Sequence, residues 1–209
     1  MDASRTGICV FCGARTGRDP AFAAAARELG ACIARRGRTL LYGGGNIGLM
    51  GVLADAALAA GGRVVGVIPR FMVEEEKAHR GIAELVEVRT MHERKAELAR
   101  RAGAFVALPG GVGTLDEMFE AITWNQLRIH RKPTGFLNVA GFFDPLEEFL
   151  KRAHAEGLVL DSTMRLIVLD ADPGSLLDRL DAMAQAGAAD GGCSAERGAA
   201  GCARRGARP

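Results

Sequence analysis

No run of apolar residues in this 209-residue chain is long enough to span a bilayer, so no membrane-spanning helix is expected. The opening Met1-Asp2-Ala3-Ser4-Arg5-Thr6 lacks the form of a signal peptide, and a cytoplasmic location is the expectation that follows. Excess charge is missing too. Lys and Arg total 27 against 25 Asp and Glu, a net of +2, which gives no basis for a nucleic-acid surface. Cysteine is scarce: Cys9, Cys12, Cys32, Cys193 and Cys202. Cys9 and Cys12 have CxxC spacing, but they lie in the apolar run Ile8–Cys12, where residues three apart on a strand face opposite sides. No second pair has zinc spacing, so buried reduced thiols are expected, with no metal and no cofactor. What is present is an ordinary soluble composition, 48% hydrophobic, long enough for one domain with a full core.

Short apolar runs alternate with helical patterns along most of the chain. Strands are expected at 7–12, 39–42, 63–68, 84–88, 104–108, 134–139 and 165–169. Helices are expected at 21–36, 48–60, 91–102, 114–128, 145–155 and 174–184. Regular alternation with continuously apolar strands predicts an α/β fold, a parallel sheet covered on both faces, as one domain over residues 1–184. Ligands in such sheets bind beyond the carboxyl ends of the strands. From about Gln185 to Pro209 the chain is Ala, Gly and Arg with almost no large apolar residue. Such a segment has too little surface to bury, and disorder is expected there.

Two glycine-rich turns stand out. Pro109-Gly110-Gly111-Val112-Gly113-Thr114-Leu115-Asp116-Glu117 joins the apolar run Ala104–Leu108 to a helical pattern. Glycines there let backbone N–H groups approach an anion, and a helix start adds unpaired donors and a partial positive end. The combination predicts a phosphate cradle with the carboxylate of Glu117 beside it. The second turn, Gly43-Gly44-Gly45-Asn46-Ile47-Gly48-Leu49-Met50-Gly51, follows the second strand. Its glycines do not have GxGxxG spacing, no acidic residue ends the third strand, and no Gly-Lys-Ser/Thr follows. A nicotinamide site and a P-loop are both excluded. Either the glycines make a tight turn, or Gly43, Gly44 and Gly45 bring the backbone close to a ligand, the reading favoured here.

Thr90-Met91-His92-Glu93 has the form of a capping box, placing a helix start at Thr90. Met91, Arg94, Lys95, Leu98 and Ala102 then share one helix face. Arg94 and Lys95 therefore point toward the sheet or its rim. Arg94 either meets an anion there or snorkels with its stem over apolar surface. Arg100 and Arg101 read as solvated. Thr114-Leu115-Asp116-Glu117 is a second T-x-x-E, so Glu117 reads as a helix cap, as a catalytic group, or as both. The helix it sits on is apolar on two sides, with Trp124, the chain's only tryptophan, on the second. A second subunit against that side is expected.

Taken together, Gly43-Gly44-Gly45-x-x-Gly48-Leu49-Met50-Gly51, Met91-His92-Glu93-Arg94-Lys95 and Pro109-Gly110-Gly111-x-Gly113-Thr114-x-x-Glu117 resemble the signature of the Lonely Guy family. Members are cytokinin riboside 5′-monophosphate phosphoribohydrolases, often mislabelled lysine decarboxylases. The resemblance covers the chain from the first strand to about residue 180. It implies a Rossmann-like, doubly wound homodimer that cleaves the N-glycosidic bond of a nucleoside 5′-monophosphate. It also implies a catalytic pair at Arg94 and Glu117. Substrate contacts would be Glu76, Arg94, Lys95, Thr123 and the loop Gly111, Val112, Gly113, Thr114, Leu115, Asp116 and Glu117, next to Gly110. One departure is Cys12-Gly13-Ala14-Arg15, where the family has Cys-Gly-Ser-Ser. The runner-up is a non-catalytic nucleotide-binding or molybdenum-cofactor-carrier protein on the same scaffold.

Overall fold

The computed structural model describes residues 7–195. Seven parallel strands form one sheet: β1 (Gly7–Phe11), β2 (Leu40–Tyr42), β3 (Val64–Pro69), β4 (Glu84–Val88), β5 (Ala102–Ala107), β6 (Thr134–Leu137) and β7 (Ile167–Asp170). Their order across the sheet is β4-β3-β2-β1-β5-β6-β7. The chain winds outward from β1 to β4, returns to pair β5 with the other edge of β1, and winds outward again. The switch lies between β1 and β5, with Cys9 opposite Phe105 and Phe11 opposite Ala107. Crevices at such a reversal, beyond the carboxyl ends of the strands, are where doubly wound sheets bind ligands.

The strands alternate between two buried faces. Ile8, Val10, Leu40, Tyr42, Ala104 and Val106 pack against α1 (Pro20–Arg35), α2 (Gly48–Ala59) and α7 (Pro173–Ala195). Cys9, Phe11, Leu41, Phe105 and Ala107 pack against α3 (Met91–Arg101) and α4 (Val112–Gln126). Cys9 and Cys12 thus serve opposite faces, as the strand period requires, and burial pushes both thiols up.

Element boundaries follow local chemistry. Asp19 caps α1 by accepting from the Ala21 N–H at 2.8 Å, and Pro20 occupies the first helical position, where its missing N–H costs nothing. Two short helices close the β6–β7 crossover, α5 (Asp144–Ala155) and α6 (Asp161–Met164). Helix α6 has no counterpart in the sequence pattern, being too short to show a period. Helix α7 continues to Ala195, past the expected end at Ala184. Residues 1–6 and 196–209 lie outside the described residues, and with them the rest of the expected disordered tail.

Candidate active site

Three turns meet at the switch point. The Gly13 N–H donates to the Pro109 carbonyl at 3.1 Å, and the Leu49 N–H donates to the Gly13 carbonyl at 3.0 Å. The loops after β1, β2 and β5 are therefore tied into one rim. Inside it lies a cavity of about 530 Å³, within the range of roughly 300–1,000 Å³ that small-molecule sites occupy. Phe11, Phe22, Met50, Met72, Met91 and Phe142 give it an apolar part. Glu76, Arg94, Asp116 and Glu117 give it charge.

Helix α4 opens onto this cavity. Its N-cap is Gly111, which supplies no side-chain cap, so the N–H groups of its first turn face outward with the positive end of the helix. The helix begins at Val112, two residues before the expected start at Thr114. Thr114 is therefore inside the first turn and Glu117 a turn further on. The capping reading of Glu117 fails for that reason. Thr114 is buried against Gly110, where a Cβ would lie 2.1 Å from the Thr114 Oγ1. Only glycine fits at that point.

Arg94 is held where α3 meets the sheet. The Thr90 half of the capping box at the start of α3 forms, while Glu93 reaches one residue further back than the reciprocal half requires. The Thr90 hydroxyl accepts from the Glu93 N–H at 3.1 Å, while the Glu93 carboxylate accepts from the Arg89 N–H at 2.8 Å. One turn on, the Arg94 side chain is 5% exposed. Its Nη2 lies 3.8 Å from Glu76 Oε2 and its Nε lies 3.9 Å from Glu117 Oε1. Both are ion-pair distances, and neither is a hydrogen bond. Arg94 Nε and Glu76 Oε2 are buried with no hydrogen-bond partner in the protein. Such groups are rare in folded proteins, and here they line a cavity. A snorkelling Arg94, with its guanidinium in water, is excluded.

Burial governs the protonation of the carboxylates. Glu117 is pushed up to about 7, with desolvation the largest cause and Arg94 pulling the other way. Glu76 is raised by the same balance. The sequence places Glu117 near a helix N-terminus, where it should stay ionised; burial overrides the helix end, because Arg94 approaches too loosely to offset it.

The site residues expected from the sequence divide into two groups. Gly43, Glu76, Arg94, Gly110, Gly111, Gly113, Thr114, Asp116 and Glu117 line the cavity. Gly44, Gly45, Lys95, Val112, Leu115 and Thr123 do not. Lys95 is turned along α4, with its Nζ 2.8 Å from Asp116 Oδ2 and 2.9 Å from Glu120 Oε2. Leu115 packs into the sheet, and Val112 and Thr123 are exposed. The Gly43–Gly45 turn also has another use than close approach to a ligand. A Cβ on Gly43 would stand 1.9 Å from Arg94 Nη2, so this glycine makes room for the guanidinium. Gly44 and Gly45 pack under Ile68 and against Met50 and Glu76. Arg101 is not free in water either; it bridges Glu84 and Glu97 at 2.7 and 2.5 Å.

The loop after β1 stood out in the sequence only as a departure from the family pattern at Ala14 and Arg15, and none of its residues is among the expected site residues. Gly13, Ala14, Arg15, Thr16 and Gly17 all line the cavity, as do Phe22, Met72 and Phe142. The position of that loop at the end of the first strand was its available signal. Phe142 follows β6 in sequence and reaches Phe22 edge-on at 5.4 Å, a contact that only the fold creates.

A family model described as possible lysine decarboxylase matches residues 50–180. A probable cytokinin riboside 5′-monophosphate phosphoribohydrolase of Oryza sativa subsp. japonica is 46% identical over 174 residues, covering 83% of this chain and 71% of that protein. A cytokinin riboside 5′-monophosphate phosphoribohydrolase of Arabidopsis thaliana is 45% identical over 174 residues, 83% of this chain and 82% of that protein. Among solved structures, the molybdenum cofactor carrier protein of Chlamydomonas reinhardtii matches with a TM-score of 0.66 at 22% identity, over 86% of this chain and 98% of that one. That likeness is one of Rossmann-like fold.

Proposed function

The chain belongs to the Lonely Guy family, and from that premise we propose that it hydrolyses the N-glycosidic bond of a nucleoside 5′-monophosphate. The products are a free adenine-type base and ribose 5-phosphate. Isopentenyladenosine monophosphate and AMP are the substrates to try first. The observation that carries this reading is the burial of Glu117 beside Arg94, on a cavity that also receives the uncapped first turn of α4.

Each part answers a requirement of the reaction. The first turn of α4 offers N–H donors to the phosphate. Cleavage passes through an oxocarbenium-like state with positive charge on the ribose. The Glu117 carboxylate stabilises that charge and takes a proton from the attacking water. Arg94 stands between Glu117 and Glu76 and offsets part of their negative charge. The apolar side chains around Phe22 and Phe142 suit a base with or without an apolar substituent.

The family model's description names a different chemistry. A pyridoxal-phosphate decarboxylase needs a lysine for its Schiff base. Among the described residues lining the cavity there is no lysine, and Lys95 is engaged by two carboxylates. The working unit in this proposal is a cytoplasmic homodimer. Its support is the pair of exposed apolar side chains just past the end of α4, Leu127 and Ile129, both 63% exposed. Among the described residues no helix is long and apolar enough to cross a membrane.

The test is direct. Incubated with AMP or isopentenyladenosine monophosphate, the protein should release free base and ribose 5-phosphate, and unphosphorylated adenosine should be left intact. Binding of the monophosphate without any base release would favour a carrier instead. Light scattering should return about twice the chain mass, and an active monomer would remove the homodimer.

A further inference from the structure

The charges around the cavity are not evenly paired. Among the described residues that line it, the cations are Arg15 and Arg94, and the acids are Glu76, Asp116 and Glu117. Arg94 lies between Glu76 and Glu117. Asp116 is held by Lys95 at 2.8 Å. Arg15 is left, exposed on the loop between β1 and α1, and no acidic side chain pairs with it among the described residues.

The backbone that carries Arg15 is fixed. Gly13 is hydrogen-bonded on both sides, to Pro109 through its N–H and to Leu49 through its carbonyl. A Cβ at Gly48 would lie 2.2 Å from the Ala14 carbonyl carbon and 2.4 Å from the Arg15 nitrogen, so α2 is pressed against this loop. The loop is thereby seated against the Pro109–Gly111 turn that opens α4. A cation on a fixed loop that lines the same cavity as a helix N-terminus suits a ligand with more negative charge than the helix end alone offsets. A helix end is worth roughly half an elementary charge, whereas a phosphomonoester carries nearly two at neutral pH. The orphaned and deeply buried Arg94 Nε, on the same cavity, independently indicates that the space is built for a polar ligand.

We propose that Arg15 is the side-chain clamp for the substrate's phosphate, completing the backbone cradle of α4 and setting the preference for a phosphorylated over an unphosphorylated nucleoside. This deepens the hydrolase reading and rests on it for the identity of the phosphate's owner. Arg15 acts on binding, since the acid that meets the ribose is Glu117. Its loss should therefore appear in KM while kcat survives.

The experiment compares the full-length protein with Arg15→Ala and Arg15→Lys, titrating ribose 5-phosphate and adenine separately and measuring kcat and KM on AMP. Arg15→Ala should weaken ribose 5-phosphate about tenfold, the scale for one hydrogen-bonded charge. Adenine affinity should not change, KM for AMP should rise by a similar factor, and kcat should hold. Arg15→Lys should recover part of the loss, because the charge stays while the two-pronged geometry goes. The wild type should lose affinity for ribose 5-phosphate more steeply with added salt than Arg15→Ala does. Unchanged ribose 5-phosphate affinity in Arg15→Ala, or equal weakening of adenine, would overturn the proposal. Failure of the hydrolase reading is separable. A wild type that releases no base from any monophosphate, yet binds ribose 5-phosphate through Arg15, would sink the activity and uphold the clamp.

Discussion

The chain contains T-x-x-E twice, at Thr90–Glu93 and at Thr114–Glu117, and the two do opposite things. The first is a cap: the Thr90 hydroxyl takes the Glu93 N–H, and Glu93, with its side chain in water, turns back to Arg89. The second lies wholly inside α4, because Gly111 begins that helix and no cap is needed from Thr114. Its threonine is buried and its glutamate, 12% exposed, faces Arg94 in a cavity. Identical spacing thus yields a local bond in one case and a desolvated carboxylate in the other. Capping depends on where the helix starts, and the start of α4 is set by the turn that precedes it.

The sharpest way to break this contrast is to neutralise each glutamate. Glu117→Gln should cut base release from a nucleoside monophosphate by about 10²-fold or more, the usual scale for removing an electrostatic or acid–base group. Glu93→Gln should leave turnover within about twofold, since Gln also serves at that capping position. Comparable rates in the two variants would end the catalytic assignment.

Next in size is the seat of Arg94. Gly43→Ala would drive a Cβ into the guanidinium and should lower turnover by about ten- to a hundredfold, as expected for displacement of a catalytic group by about 1 Å. Gly111→Ala has nothing within 4 Å of the added carbon and should fold normally. Circular dichroism with parallel rate measurements separates the two, and a normal rate in Gly43→Ala would show that Arg94 can be moved at no cost.

The protonation of Glu117 gives a third test. With the acid reactive as its carboxylate and its pKa near 7, kcat/KM should rise with pH through about 7 and level off above it. A flat profile from pH 5 to 9 would contradict that assignment.

The smallest effects are on stability, and they should have opposite signs. Thr90→Ala removes a cap and should cost about 1 kcal/mol, a loss of about 2–4 °C in Tm for a domain of this size. Glu117 has a folded pKa above its ordinary value, so its contribution is most favourable in acid and declines as pH rises through about 7. Glu117→Gln should therefore raise Tm by a few degrees at pH 8 and change little near pH 4. A drop in Tm at pH 8 would mean that Arg94 stabilises the carboxylate more than burial penalises it.

Most of the fold was readable because its signals are local. Strand runs and helix periods appear within windows of ten or so residues, and the elements they indicate are those observed, within one or two residues at most ends. Helix α6 and the extension of α7 to Ala195 escaped, the first because it is too short to show a period. Within the site, the glycine turn before α4 was legible because phosphate chemistry needs bare N–H groups at a helix start. The role of Gly43 was not, since the group it accommodates lies some fifty positions away in the chain, on α3. The same holds for Arg15 and Phe142, whose neighbours are set by strand order.

By itself, then, the amino-acid sequence determined the alternating architecture, the two glycine turns, the cap at Thr90 and the cluster of family-specific residues that mark the chemistry. These depend on backbone sterics and on contacts a few residues apart. Only the tertiary structure decided that Glu117 is a buried acid instead of a cap, that Arg94 stands between two carboxylates, that Lys95 is withdrawn from the cavity, and that the Arg15 loop lines it. Those outcomes turn on desolvation and on Coulomb interactions between residues far apart in the chain, and both take their values from the order in which the strands assemble.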